Sequence, residues 1–80
     1  MSYAVEVNEA RVLATRQGAG WWIAYRSQAE RARRVTVVTP SIGGDLVRVA
    51  CDDQEDAAWL RDHMADSGIP VTALKVVKTS

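Results

Sequence analysis

Residues 52–77, DDQEDAAWLRDHMADSGIPVTALKVV, read as one capped helix followed by one strand, and this unit decides the fold class. Asp52 precedes Glu55 by the spacing of a capping box, and Asp53 precedes Asp56 by the same spacing, so the helix starts at one of the two aspartates. Either carboxylate can accept from the free N–H groups of the first turn, and the acidic cluster suits the positive end of the helix dipole. At the other end, Gly68 can adopt a left-handed conformation without a Cβ clash. Ile69 can then fold back on the last turn, and Pro70 forbids continuation. Between these limits Ala57, Leu60 and Met64 mark one helical face, with Asp62 and Asp66 opposite. Trp59 and His63, four apart, flank the stripe. Trp59 is expected as a lid at the edge of the core, and His63, with no second ligand at metal spacing, as a surface or edge histidine. In 71–77, apolar residues fall on both faces of a strand, which suits a strand covered in part on both sides.

Upstream, YAVEVN (3–8) alternates as a half-buried strand with Tyr3, Val5 and Val7 on one side. EARVLATR (9–16) has a helical composition but precedes the glycine-rich Gln17-Gly18-Ala19-Gly20. The expectation is a strand entering a hairpin there. WWIAYR (21–26) is aromatic and β-branched, so a strand is expected, with one of Trp21 and Trp22 in the core and the other outside it. SQAERARR (27–34) breaks the pattern and allows only a short helical turn. VTVVT (35–39), the Gly43-Gly44 turn signal and LVRVAC (46–51) then read as two strands joined by a tight connection.

The expected architecture is therefore a single small α+β domain over 1–80. It has an antiparallel sheet of four or five strands, one main helix (about 53–67) packed on one face, and the order β-β-β-β-α-β. The alternative is a ferredoxin-like βαββαβ that starts at 21–26 and uses 27–34 as its first helix. That segment is short for a crossover, which usually needs a dozen residues or more.

Composition narrows the function classes. The chain has 80 residues, is 48% hydrophobic and carries no net charge. That is ordinary for a globular domain and too apolar for a disordered one. There is no run long enough to span a bilayer. Met1-Ser2-Tyr3 leads into Glu6 and Glu9 rather than a signal-peptide pattern. The single cysteine, Cys51, precludes an internal disulfide. A reducing, cytoplasmic setting is expected. Eight Arg against two Lys, with no Phe, is what GC-rich codons give, so a bacterium or phage is the expected source. The charge is polarised: residues 1–50 hold seven Arg against four acids, +3, and residues 51–80 hold three cations against six acids, −3. Such polarity suits self-association or a charged partner.

No phosphate loop, His-x-x-x-His, Cys-x-x-Cys or serine elbow is present, so no catalytic, cofactor-binding or metal-ligating residue is assigned. Cys51 and His63 are twelve apart on different elements, and their spacing implies no nucleophile–base pair. The expectation is a non-enzymatic module that binds a partner protein or a second copy of itself. The expected contact residues are Trp21, Trp22, Tyr25, Arg26, Arg31, Arg33 and Arg34. The alternative is a nucleic-acid-binding module with bases stacked on strand aromatics beside the arginine-rich loop. The neutral charge and pI near 6.5 weigh against it.

Overall fold

A computed structural model describes residues 2–79. The elements are β1 (Tyr3–Asn8), α1 (Glu9–Leu13), α2 (Arg16–Arg31), β2 (Val35–Thr39), β3 (Leu46–Cys51), α3 (Gln54–Asp66) and β4 (Leu74–Lys78), with a single 3-10 turn at Val71–Ala73. The four strands form one antiparallel sheet in the order β2-β3-β1-β4. The fold is α+β, with helices packed on the sheet.

The strand periodicity places the core. Val5 and Val7 lie opposite Val49 and Val47 in the β1–β3 register, and all four are fully buried. On this face they meet Trp22 of α2 and Ala57, Leu60 and Met64 of α3. On the opposite face Glu6 pairs with Arg48 at 3.0 Å, so that side of the sheet centre is polar. Ala57, Leu60 and Met64 are buried as their spacing predicts, while Asp62 and Asp66 are exposed.

The helix 54–66 is punctuated as its sequence indicates. Asp53, the later of the two candidate caps, accepts from Asp56 N–H at 2.9 Å. At the far end Gly68 N–H donates to Ala65 O and Ile69 N–H to Met64 O, the paired bonds of a Schellman motif. Gly68 has φ +103°, a conformation strained for any residue with a Cβ. Ile69 and Met64 both belong to the core cluster, so the apolar contact that accompanies this motif is also present.

The N-terminal half differs from the sequence expectation. Residues 9–16, 17–20 and 21–26 are not strand, hairpin loop and strand, but α1 and most of α2. The order is β-α-α-β-β-α-β, and two main helices rather than one cover the sheet. This is the βαββαβ arrangement of the alternative, but its first strand is Tyr3–Asn8 and its first crossover spans both α1 and α2. The crossover is therefore long enough. Local β preference in WWIAYR is overridden by a helical stripe in which Gly18, Trp22 and Ala29 are buried and Tyr25 is half-buried. Gly18 is not a turn residue. A Cβ there would lie 2.8 Å from Gly68 O, so its lack of a side chain lets the start of α2 rest on the end of α3. Gly20 has open space around its Cβ position.

Gly68 and Gly20 should therefore respond in opposite ways to replacement by alanine. Gly68→Ala should lower stability by about 1 kcal/mol through strain at positive φ, and Gly20→Ala should raise it by about 0.5–1 kcal/mol through helix propensity. Urea midpoints of the two variants check this; a stabilising Gly68→Ala would show that the cap is not as described.

Candidate functional site

The residues expected to bind a partner come apart once α2 is a helix. Consecutive positions on a helix point about 100° apart, so Trp21 and Trp22 separate. Trp22 turns inward and is fully buried. Its Nε1 donates to Glu9 Oε2 at 2.7 Å. Arg26, one turn on, is half-buried; its guanidinium pairs with Glu9 and Glu30 and lies 3.5 Å from Asp45 Oδ2. Trp22 is thus enclosed in the core, and Arg26 is engaged by carboxylates with only part of its side chain exposed.

Glu9 was not among the residues singled out from sequence, yet it organises this corner. It is only 7% exposed. Its carboxylate accepts from Trp22, from Arg26 and from Asp45 N–H at 2.9 Å, and its own N–H donates to Asp45 O at 2.9 Å. Burial alone would raise its pKa. The hydrogen bonds from Arg26, Trp22 and Asp45, with the Arg26 charge, outweigh that and hold the carboxyl below its ordinary value.

Trp21 and Tyr25 point toward α3. Their rings stack at 4.9 Å and 9°. Trp21 meets His63 edge-on at 5.7 Å, and His63 lies flat on Trp59 at 5.1 Å and 6°. On the inner side Tyr25 contacts Trp22 at 6.1 Å. Five rings thus run from the core outward in the order Trp22, Tyr25, Trp21, His63, Trp59. Trp59 is 66% exposed and is not the core lid its position suggested. The sequence signal for this stripe was the pair of four-residue spacings, Trp21–Tyr25 and Trp59–His63, which only a two-helix layer brings together.

Beside the stripe lies an open depression of about 980 Å3, lined by Tyr3, Tyr25, Arg34, Cys51, Trp59 and His63 and reaching Thr36 and Arg48 of the sheet. Arg34 donates through Nε and Nη2 to Ala50 O, both at 3.2 Å. Burial pushes the Cys51 thiol up, only partly offset by the charge of Arg34, so it stays protonated near neutrality. Burial likewise raises the Tyr25 hydroxyl. Among the described residues no hydrogen bond joins Cys51 to His63, whose imidazole is occupied by the two indoles. Arg31 and Arg33 sit exposed at the end of α2, Arg33 in a left-handed conformation with φ 58°. Among the described residues no cluster of three or more His, Cys, Asp or Glu could hold a metal ion, and no helix is long and apolar enough to cross a membrane.

The Glu9 network makes stability pH-dependent with a definite sign. A carboxyl depressed in the folded state contributes fully above its unfolded value, about 4.5, and the contribution is lost as pH falls through the lower folded value. At neutral pH, Glu9→Gln should cost about 2 kcal/mol, the scale of a hydrogen bond to a charged group. Wild type should lose stability on acidification to about pH 3 more steeply than Glu9→Gln. Parallel urea titrations at the two pH values check both statements; equal acid sensitivity of the two proteins would remove Glu9 from this role.

No protein-family model matches this chain, and neither does any curated protein or solved structure.

Proposed function

We propose that this chain is a small non-enzymatic interaction module that binds a partner protein through the aromatic stripe Trp21, Tyr25, His63 and Trp59, with Arg34 at its margin. The observation that carries the reading is Trp59. A large indole left 66% exposed is unusual in a small domain, and here it is held flat against His63 by a ring stack rooted in the core. A fixed ring loses little rotamer freedom on binding, and Trp, Tyr and Arg are the residues that most often dominate interface energies. Asp52 and Asp56 around the start of α3, with Arg34 and Arg48, line the same depression and favour a partner that presents charges of both signs.

The nucleic-acid reading needs aromatic rings on a strand surface to stack bases. Trp21, Trp22 and Tyr25 lie on α2, and the open sheet face carries Glu6, Arg48 and Lys75 instead. This leaves the exposed Arg31, Arg33 and Arg34 as its support.

Immobilised wild-type protein should retain a specific protein from extract of the source cell. Trp59→Ala should weaken that retention by at least tenfold, the scale of a hot-spot tryptophan. Ile23→Ala, also on an exposed apolar residue but on α2 away from the ring stack, should retain it. Titration with single- and double-stranded oligonucleotides at low and moderate salt is the counter-test. Salt-sensitive binding lost when Arg31, Arg33 and Arg34 are all replaced by Ala would overturn the proposal in favour of nucleic acid.

A further inference from the structure

The two edges of the sheet are not alike. β4, at one edge, carries Lys75 and Lys78, the kind of charge that discourages strand pairing. β2, at the other edge, reads VTVVT, with no charge and no proline within it. Four of its five residues are exposed, Val37 and Val38 each at 41%. An uncharged β-branched edge of this kind is a template for another strand.

Its hydrogen-bonding direction can be read from β3. Val35, Thr36 and Val37 lie opposite Val49, Arg48 and Val47, and Ala50 N–H donates to Arg34 O at 2.8 Å. In an antiparallel ladder the residues that exchange bonds alternate, so Thr36, two residues on, also turns its backbone to β3. Val35 and Val37 therefore direct their N–H and C=O groups away from the sheet. The register shift between Val37 and Thr39 lies beyond this pair and does not disturb it.

We propose that β2 is the pairing edge for a second copy of this chain, joined antiparallel about a two-fold axis at Thr36 into one continuous eight-stranded sheet. In this register Val35 exchanges backbone hydrogen bonds with the second copy's Val37, and Val37 with its Val35, giving four bonds in all. Thr36 faces Thr36 of the second copy on the open face. Val35 and Val37 lie side by side under the helix layer, where Val37 is left partly uncovered in one chain alone. Within 35–37 every cross-strand pair is then Val or Thr with Val or Thr, and beyond them Val38 and Thr39 face Arg34 and Arg33 of the second copy, so no two like charges are opposed. A second copy is the occupant the sequence favours, because the three residues 35–37 are self-complementary under this symmetry. Pairing also uses up the only uncharged edge of each chain. The two outer edges of the dimer are both β4 with its lysines, so assembly stops at two. The contact uses none of the rings of the aromatic stripe, which lie on α2 and α3, although Thr36 also lines the depression beside them.

Sedimentation of the full chain between about 5 and 200 µM tests this, since a contact this small is of the weak, transient class. Wild type should be a concentration-dependent dimer. Thr36→Lys places two like charges at the axis and should be monomeric with an unchanged circular dichroism spectrum. Thr36→Val keeps shape and neutrality and should still dimerise. Val37→Pro removes an outward N–H that β3 does not use, and should also be monomeric. In wild type at high concentration the Val35 and Val37 amides should exchange at least tenfold more slowly than in Thr36→Lys. A wild type that is monomeric throughout, or an open polymer, would overturn the proposal. So would a dimer that survives Thr36→Lys, or one lost in Trp59→Ala. The interaction module fails separately, when Trp59→Ala retains its partner in the Thr36→Lys background.

Discussion

The Glu9 carboxylate is the tie on which the arrangement of this small domain depends. It stands at the end of the central strand, where β1 gives way to α1, and it accepts from Trp22, Arg26 and the backbone of Asp45. Those donors come from the crossover helix and from the connection that leads into β3. One buried anion thus fixes the position of α2 over the sheet and the return of the chain from β2 to β3. Burying a carboxylate costs several kcal/mol unless it is paired and fully hydrogen-bonded, and here both oxygens have donors. The choice of an indole N–H as one donor also explains how the largest side chain in the core can be fully buried without leaving a polar atom unsatisfied.

Given that anchor, the exterior of the helix layer follows. With Trp22 held inward, Trp21 and Tyr25 are aimed at α3, and the ring stack continues through His63 to Trp59. The order of the stack grades from packed interior to solvent, so the outer indole is supported by inner ones rather than by the backbone alone. That support is what turns an exposed aromatic residue into a preorganised surface.

The α3–β4 half was legible because its signals are local. A capping aspartate, a left-handed glycine and a proline within 52–70 act within a turn of where they stand, and the apolar period agrees with them. The two strands 3–8 and 46–51 were legible for the same reason, from alternation alone. The crossover was not. Gly18 signals a turn in isolation, but its reason is the backbone of Gly68, fifty residues later, which no local pattern announces. WWIAYR has the composition of a strand, and only the spacing of Gly18, Trp22, Tyr25 and Ala29 betrays a helix. Of the proposed contact residues, Trp21, Tyr25 and Arg34 gather at the candidate site. Trp22 and Arg26 are taken by Glu9, a partner that charge counting could not single out. Arg31 ends up on the last turn of α2 and Arg33 just beyond it.

The position of β1 in the sheet carries a consequence for how the chain assembles. β1 lies between β3 and β4, so the earliest described strand is paired on one side by residues 46–51 and on the other by residues 74–78. The closing bond of that arrangement, Thr79 N–H to Ser2 O at 2.9 Å, joins the two ends of the described chain. During synthesis from the N-terminus, β1 has no pairing partner until residues 46–51 have emerged. It gains its second only with the last described residues. Such non-local pairing slows folding relative to a helical bundle of equal size, because loop closure must precede the contacts that compensate for it. The helices α1 and α2 can form in the interval. The valines of β1 gain the strands that flank them in the folded sheet only when residues 46–51 and 74–78 are in place.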